Sequence, residues 1–221
     1  MFEPIEIKRS SRFGCNYWES HSPKLNRNVK LFTDLEYDHW ILIETNSNIL
    51  TFCESPKDIN FFVNNQKSEK IFDMWIKQKN HEQAFISVFY DSELDENDKF
   101  YEKTMEIINL QKDWCNSNKF IYNVVSESDI RGNYILLKNM KKILSNIRVN
   151  RTQNKYDNSQ ILTLLCKEKL SIKNIKDELK YIPIERVATA ICWLKYLGEI
   201  DGDFDKTVLN INTEVWKNDK T

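Results

Sequence analysis

The strand-like run IFDMWIKQ, residues 71–78, sets a carboxylate, Asp73, among large apolar side chains. Aspartate is depleted in strands because it packs poorly on a pleated, half-buried surface. A bound metal is one reason to keep it there, and an edge-strand position facing water is another. Hydrolysis of a phosphodiester with Mg2+ requires carboxylate oxygens that converge on the ion, and commonly a lysine that assists the attacking water or offsets developing charge. Glu36, near the start of a predicted helix ahead of the strands, is the candidate second carboxylate. Thr33 followed three positions later by Glu36 equally fits a capping box, in which the glutamate needs no other role. Lys77 shares the strand parity of Asp73, with roughly 13 Å of strand between their backbones. Lys79, His81 and Glu82 fall at a polar turn where charge is ordinary, and His81 reads as a surface residue. The next strand, AFISVFY, carries no charge at all.

Periodicity supplies the elements that must position these groups. TDLEYDHWILIET, residues 33–45, is predicted helical; ILTFCE and INFFV are predicted strands around the Pro56 turn, followed by IFDMWIKQ and AFISVFY as a strand pair. A helix is expected from Leu94 to about Trp114, with acidic residues in its first turn where the helix dipole favours them. KFIYNVVS is a further strand. Residues 134–147 form a helix with Leu136, Leu137, Met140, Ile143, Leu144 and Ile147 on one face and lysines on the other. This order predicts an α/β domain over 1–149 with a mixed sheet.

The polar, aperiodic stretch NRTQNKYDN, 150–158, reads as a linker to a second domain over 159–221. SQILTLLCKEK, SIKNIKDELKY and PIERVATAICWLKYLGEI predict three short helices, and GDFDKTVLNIN a small hairpin. Ser171 and Pro183 supply helix starts. Three helices and a hairpin outline a small, mainly helical winged-helix-like domain. Its third helix has few basic residues, chiefly Arg186 and Lys195, which leans toward contact with protein rather than DNA.

The chain has 221 residues, 41% hydrophobic and 29% charged, with a net charge of −1. It therefore suits one large or two small soluble domains. No run approaches the roughly 18 apolar residues of a membrane span, and MFEPIEIKRSSRFG is charged where a signal peptide is apolar, so a cytoplasmic protein is expected. The five cysteines have no CxxC spacing, and neither disulfides nor zinc are expected. The charge is unevenly spread. Lys138, Lys141, Lys142, Arg148, Arg151 and Lys155 fall in a stretch without acidic residues, whereas DSELDEND at 91–98 is strongly acidic. The basic tract reads either as a phosphate-binding surface or as a solvated helix face.

These segments, taken in order, carry a resemblance. FTDLEYDHWILIETNSNILTFCESPKDINF resembles the N-terminal region of TnsA, the endonuclease subunit of heteromeric Tn-seven-type transposases. FDMWIKQ stands where that family has its P-D-F strand. FISVFYDSEL stands at its apolar-E-V-K strand, and FIYNVVSESDIRGNYILLKNMKKIL at its strand, E-x-x-I corner and basic helix. The resemblance covers nearly the whole chain. It implies a restriction-endonuclease-like fold of the PD-(D/E)xK type and Mg2+-dependent cleavage of 5′ strands at transposon ends. The implied partners are transposon-end DNA, a DDE-type transposase and an ATP-dependent transposition regulator. By position it makes Glu36 the helix carboxylate and Asp73 the first-strand metal ligand.

The chain departs from the family at the second acid and the lysine. These positions fall on Ser87, fourteen residues after Asp73, and on Phe89. A hydroxyl is a poor substitute for a carboxylate on Mg2+, and a phenyl ring neither moves a proton nor offsets charge. The expectation is a TnsA-like subunit with weakened or lost cleavage, retaining DNA contacts through Lys138, Lys141, Lys142, Arg148 and Arg151. The alternatives are an active nuclease with migrated groups, Lys77 and Glu82 being the compensating candidates, and a non-enzymatic winged-helix DNA-binding regulator.

Overall fold

The computed structural model describes residues 2–6, 16–56, 62–63, 66–67 and 72–218. The chain divides into two compact units: Met1–Ile43 with Asn48–Gly132, and Glu44–Ser47 with Asn133–Thr221.

In the first unit, β1 (Trp18–Ser22) and β2 (Arg27–Leu31) pair as an antiparallel hairpin and lead into α1 (Asp34–Thr45). Then come β3 (Ile49–Glu54), the short pair β4 (Phe62–Val63) and β5 (Gln66–Lys67), β6 (Met74–Gln78) and β7 (Gln83–Phe89). They are followed by α2 (Tyr101–Ser117), β8 (Ile121–Ser126) and α3 (Glu127–Arg131). The main sheet has the order β3-β6-β7-β8. β3, β6 and β7 run antiparallel, and β8 lies parallel to β7. A parallel neighbour needs a long crossover, and α2 supplies it. The mixed α/β architecture expected from the sequence is thus present. Of the predicted strand at 59–63, residues 59–61 lie outside the described residues.

One sheet face is sealed by aromatic side chains, large apolar surfaces whose burial is the main driving force for folding. Cys53, Phe72, Trp75, Phe85 and Cys115 are buried together, with Phe2, Leu110, Trp114, Phe120 and Tyr122 packed around them. The Phe85 ring centroid lies 4.6 Å from that of Phe72, 5.0 Å from Phe120 and 5.4 Å from Trp114. α2 begins later than its periodicity predicts. Asp91–Leu94 is a separate 3-10 turn, and helix proper starts at Tyr101. Between them, Asp95 Oδ1 accepts the Asn97 N–H at 2.9 Å and Asp98 Oδ1 accepts the Phe100 N–H at 2.7 Å. Such local bonds give the backbone an alternative to the helix.

The second unit contains α4 (Tyr134–Val149), α5 (Lys155–Leu165), β9 (Leu170–Ser171), α6 (Ile172–Glu178), α7 (Ile184–Leu197), β10 (Ile200–Gly202) and β11 (Glu214–Lys217). The three strands form an antiparallel sheet in the order β10-β11-β9. Glu44 belongs to this unit, and its carboxylate accepts the Tyr196 hydroxyl at 2.7 Å. Ser171 caps α6 through the Asn174 N–H, and Pro183 precedes α7. α7 ends at Gly198, whose φ of 80° is the left-handed conformation that favours glycine at a helix C-terminus.

The structure draws the division between units at Gly132, where the sequence places it at 149 with a linker over 150–158. Leu137, Met140, Ile143, Leu144 and Ile147 are buried as predicted, but α4 packs them against α7. The latter half of the predicted linker is the first turn of α5, started by Asn154, whose Oδ1 accepts the Tyr156 and Asp157 N–H groups. The predicted hairpin is also displaced: GDFDKTVLNIN is mostly the loop between β10 and β11. Asn139 of α4, fully buried, shapes that loop by donating to the carbonyls of Phe204 and Thr207 and accepting the Leu209 N–H, at 2.7–2.8 Å.

Candidate functional site

Glu36 occupies the first turn of α1 and is buried. Its N–H donates to Thr33 Oγ1 at 2.9 Å, and its Oε2 accepts the Phe32 N–H at 3.0 Å. It therefore performs the reciprocal capping expected of it, reaching one residue further back than the usual box.

Asp73 lies immediately before β6, an inner strand, so the edge-strand reading does not hold. Its backbone is fixed on both sides, the N–H donating to Ile86 O at 3.0 Å and the carbonyl accepting the Ser55 N–H at 2.9 Å. Its Oδ2 accepts the Val88 N–H at 2.7 Å. The carboxylate thus takes the place of a missing ladder acceptor where the β6–β7 pairing ends, a charge-assisted bond of the stronger kind.

His39, one turn beyond Glu36 on α1, is 5% exposed and lies in the field of Asp73. Burial pushes its pKa down to about 4, against the opposing pull of the Asp73 charge, so the ring is neutral at neutral pH. The sequence reading passed over His39, although its i, i+3 relation to Glu36 puts both on one helix face.

Ser87 is 1% exposed, and its hydroxyl donates to Gln111 Oε1 at 3.2 Å. The Tyr122 hydroxyl donates to the same oxygen at 2.5 Å. Burial pushes the Tyr122 pKa up to about 12, a shift to which the Asp73 charge adds and which the Ser87 hydroxyl opposes. Where the resemblance implies a carboxylate, this chain has an uncharged trio of Ser87 and Gln111, both buried, and half-buried Tyr122. Phe89 is half-buried at the end of β7 and offers neither donor nor acceptor.

The compensating candidates lie elsewhere. Lys77, half-buried, is four residues along β6 from Asp73, in register with Thr51 and Gln83. Glu82 is exposed in the β6–β7 turn, where its Oε2 accepts the Asn80 side-chain N–H at 2.7 Å. His81 is exposed there too, with φ of 70°. The described residues contain no group of three or more His, Cys, Asp and Glu side chains placed to hold a metal ion. The residues at the four family positions do not fit the Mg2+ that the resemblance implies. Two carboxylates accept backbone N–H groups, one hydroxyl is committed to an amide oxygen, and the fourth side chain is a phenyl ring.

The basic candidates all belong to α4 and the residue pair after it. Lys138, Lys142 and Arg151 are exposed, and Lys141 and Arg148 half-buried. The Lys138 ammonium lies 5.8 Å from the Tyr134 ring centroid. The Lys142 ammonium is engaged by the Leu209 carbonyl at 2.9 Å. On α7, Arg186 forms a two-pronged pair with buried Asp157, at 2.8 and 2.6 Å, and Lys195 is held by Asp201 at 2.7 Å.

No protein-family model and no curated protein sequence matches the chain. No helix among the described residues is long and apolar enough to cross a membrane.

Proposed function

We propose that this chain is a TnsA-like subunit of a heteromeric DNA transposase that binds transposon-end DNA and has lost strand cleavage. The observation that carries this reading is the arrangement α1-β3-β6-β7-α2-β8, three antiparallel strands followed by a parallel fourth. It agrees with the restriction-endonuclease-like fold implied by the resemblance, with Glu36 on the helix, Asp73 at the second strand of the sheet and Ser87 and Phe89 on the third. Asp73 and Glu36 retain work as hydrogen-bond acceptors for the backbone, which gives both a reason to persist without a metal.

The order α5-β9-α6-α7-β10-β11, with β11 between β10 and β9, supports a winged-helix-like second module. Its third helix has its two principal cations neutralised by Asp157 and Asp201. That favours α7 as a protein-contacting helix, serving the DDE-type transposase or the ATP-dependent regulator, over the stand-alone DNA-binding regulator. DNA contact then falls to α4 and the residues just after it, where Lys138, Lys141, Arg148 and Arg151 hold phosphates without reading sequence. The test is a paired binding and nicking assay on transposon-end DNA with Mg2+. Salt-sensitive binding without nicking is expected, and nicking that disappears in Asp73→Ala refutes the reading.

A further inference from the structure

Within the second unit, α4, α7, the start of α6 and the loop between β10 and β11 line a cavity of about 170 Å³. Its floor is apolar and buried, formed by Ile172 of α6, Ile191 and Cys192 of α7, and Leu209 of the loop. Its rim is exposed, with Lys142 of α4 on one side and Asn210 and Ile211 of the loop on another. The loop wall is fixed without a ligand. Leu209 donates its N–H to Asn139 Oδ1 at 2.8 Å, and its carbonyl accepts from the Lys142 ammonium at 2.9 Å. The Lys173 N–H donates to Ile211 O at 2.7 Å and the Ile172 N–H to Thr213 O at 3.1 Å. A pocket formed in advance spares a ligand the cost of ordering its site.

The lining includes a single charged group, the Lys142 ammonium, and no carboxylate. The Leu209 carbonyl takes one of the N–H donors of that ammonium and leaves the others for a ligand. Asn146, one turn along α4, adds an uncharged amide on the same side. The Asn210 side chain is turned to its own loop, donating to Val208 O and accepting the Asn212 N–H, both at 2.7 Å. An apolar floor beneath one cation at the rim suits an amphipathic monoanion. Its chain displaces water from the floor, and its head stays half-solvated beside the ammonium, so no charge is fully buried. An apolar cavity of similar volume admits benzene, which sets the chain at about six carbons. We infer that this cavity binds a medium-chain alkanoate, its chain against Ile191 and Leu209 and its carboxylate on Lys142. An alkylammonium of the same length is repelled by Lys142, and acetate leaves the floor unfilled.

The probe is sodium hexanoate, titrated into the full chain and followed through the methyl NMR signals of Ile172 and Ile191. Saturable shifts are expected, with a dissociation constant on the order of 1 mM, and hexanol should bind the same site about fivefold more weakly. Lys142→Met, at an exposed position, keeps an apolar stem and removes the charge. It should weaken hexanoate about fivefold and leave hexanol unaffected. Ala188→Leu, on the stretch of α7 that lines the cavity, fills the space with side chain and should abolish binding of both, with an unchanged circular dichroism spectrum. Methyl signals that do not move with hexanoate overturn the inference. So does hexanoate binding that is indifferent to Lys142→Met, because the carboxylate then has no partner there. Binding that survives Ala188→Leu places the ligand elsewhere and overturns the site.

Discussion

Asp73 is held by the Val88 N–H, and that bond makes its replacement a test of structure as well as of chemistry. Asp73→Asn keeps an acceptor and should cost little, whereas Asp73→Ala leaves a half-buried N–H without its partner and should lower stability by about 2 kcal/mol. Urea unfolding midpoints of the two variants measure the difference. His39 adds a pH dependence. Its ordinary pKa of 6.5 falls to about 4 in the fold, so between those values the unfolded chain binds a proton that the folded chain does not. Stability therefore falls as pH drops through that window and levels off below it, by an amount on the order of 3 kcal/mol. His39→Gln should flatten that slope in denaturation curves taken from pH 7 to 4. At this scale the sequence showed the candidate residues and the missing charges at Ser87 and Phe89. It did not show the Ser87–Gln111–Tyr122 trio, because a contact between β7, α2 and β8 leaves no local pattern.

Among the elements, long apolar periodicities were legible and the breaks between them were not. The buried stripe of α4 and the continuously buried apolar runs of β6 and β7 follow directly from residue type. The start of α2 was misread because Asp95 and Asp98, acidic residues suited to a helix N-terminus, instead close local turns. GDFDKTVLNIN looked like a hairpin because its apolar residues suggest strand, but Asn139 holds its backbone as a loop from outside the segment. Asn139→Ala removes three hydrogen bonds at a fully buried site and should cost roughly 3 kcal/mol. The Leu209 amide should then exchange with solvent much faster, as hydrogen-exchange mass spectrometry of the loop would record. An unchanged loop would mean that the strands on either side define it without α4.

At the scale of the whole molecule, a net charge of −1 conceals a basic helix, and the proposed DNA contact would depend on which of its cations can meet phosphate. Lys142 is engaged with the Leu209 carbonyl, so Lys142→Ala should weaken DNA binding less than Lys138→Ala. Removing one lysine that neutralises a phosphate should reduce the slope of log affinity against log salt by about 0.9. Titrations of the two variants across a salt series test this directly. The mixed α/β class was legible in the order of strands and helices along the chain, while the division into units depended on packing of α4 that its own sequence does not declare. The central claim is that a nuclease-type scaffold here binds DNA without cutting it. Its most direct test is incubation of the full chain and Asp73→Ala with transposon-end DNA and Mg2+. The prediction is a salt-sensitive complex for both proteins, with no nicked product from either. Nicking by the unmodified chain that is lost in a folded Asp73→Ala would contradict it.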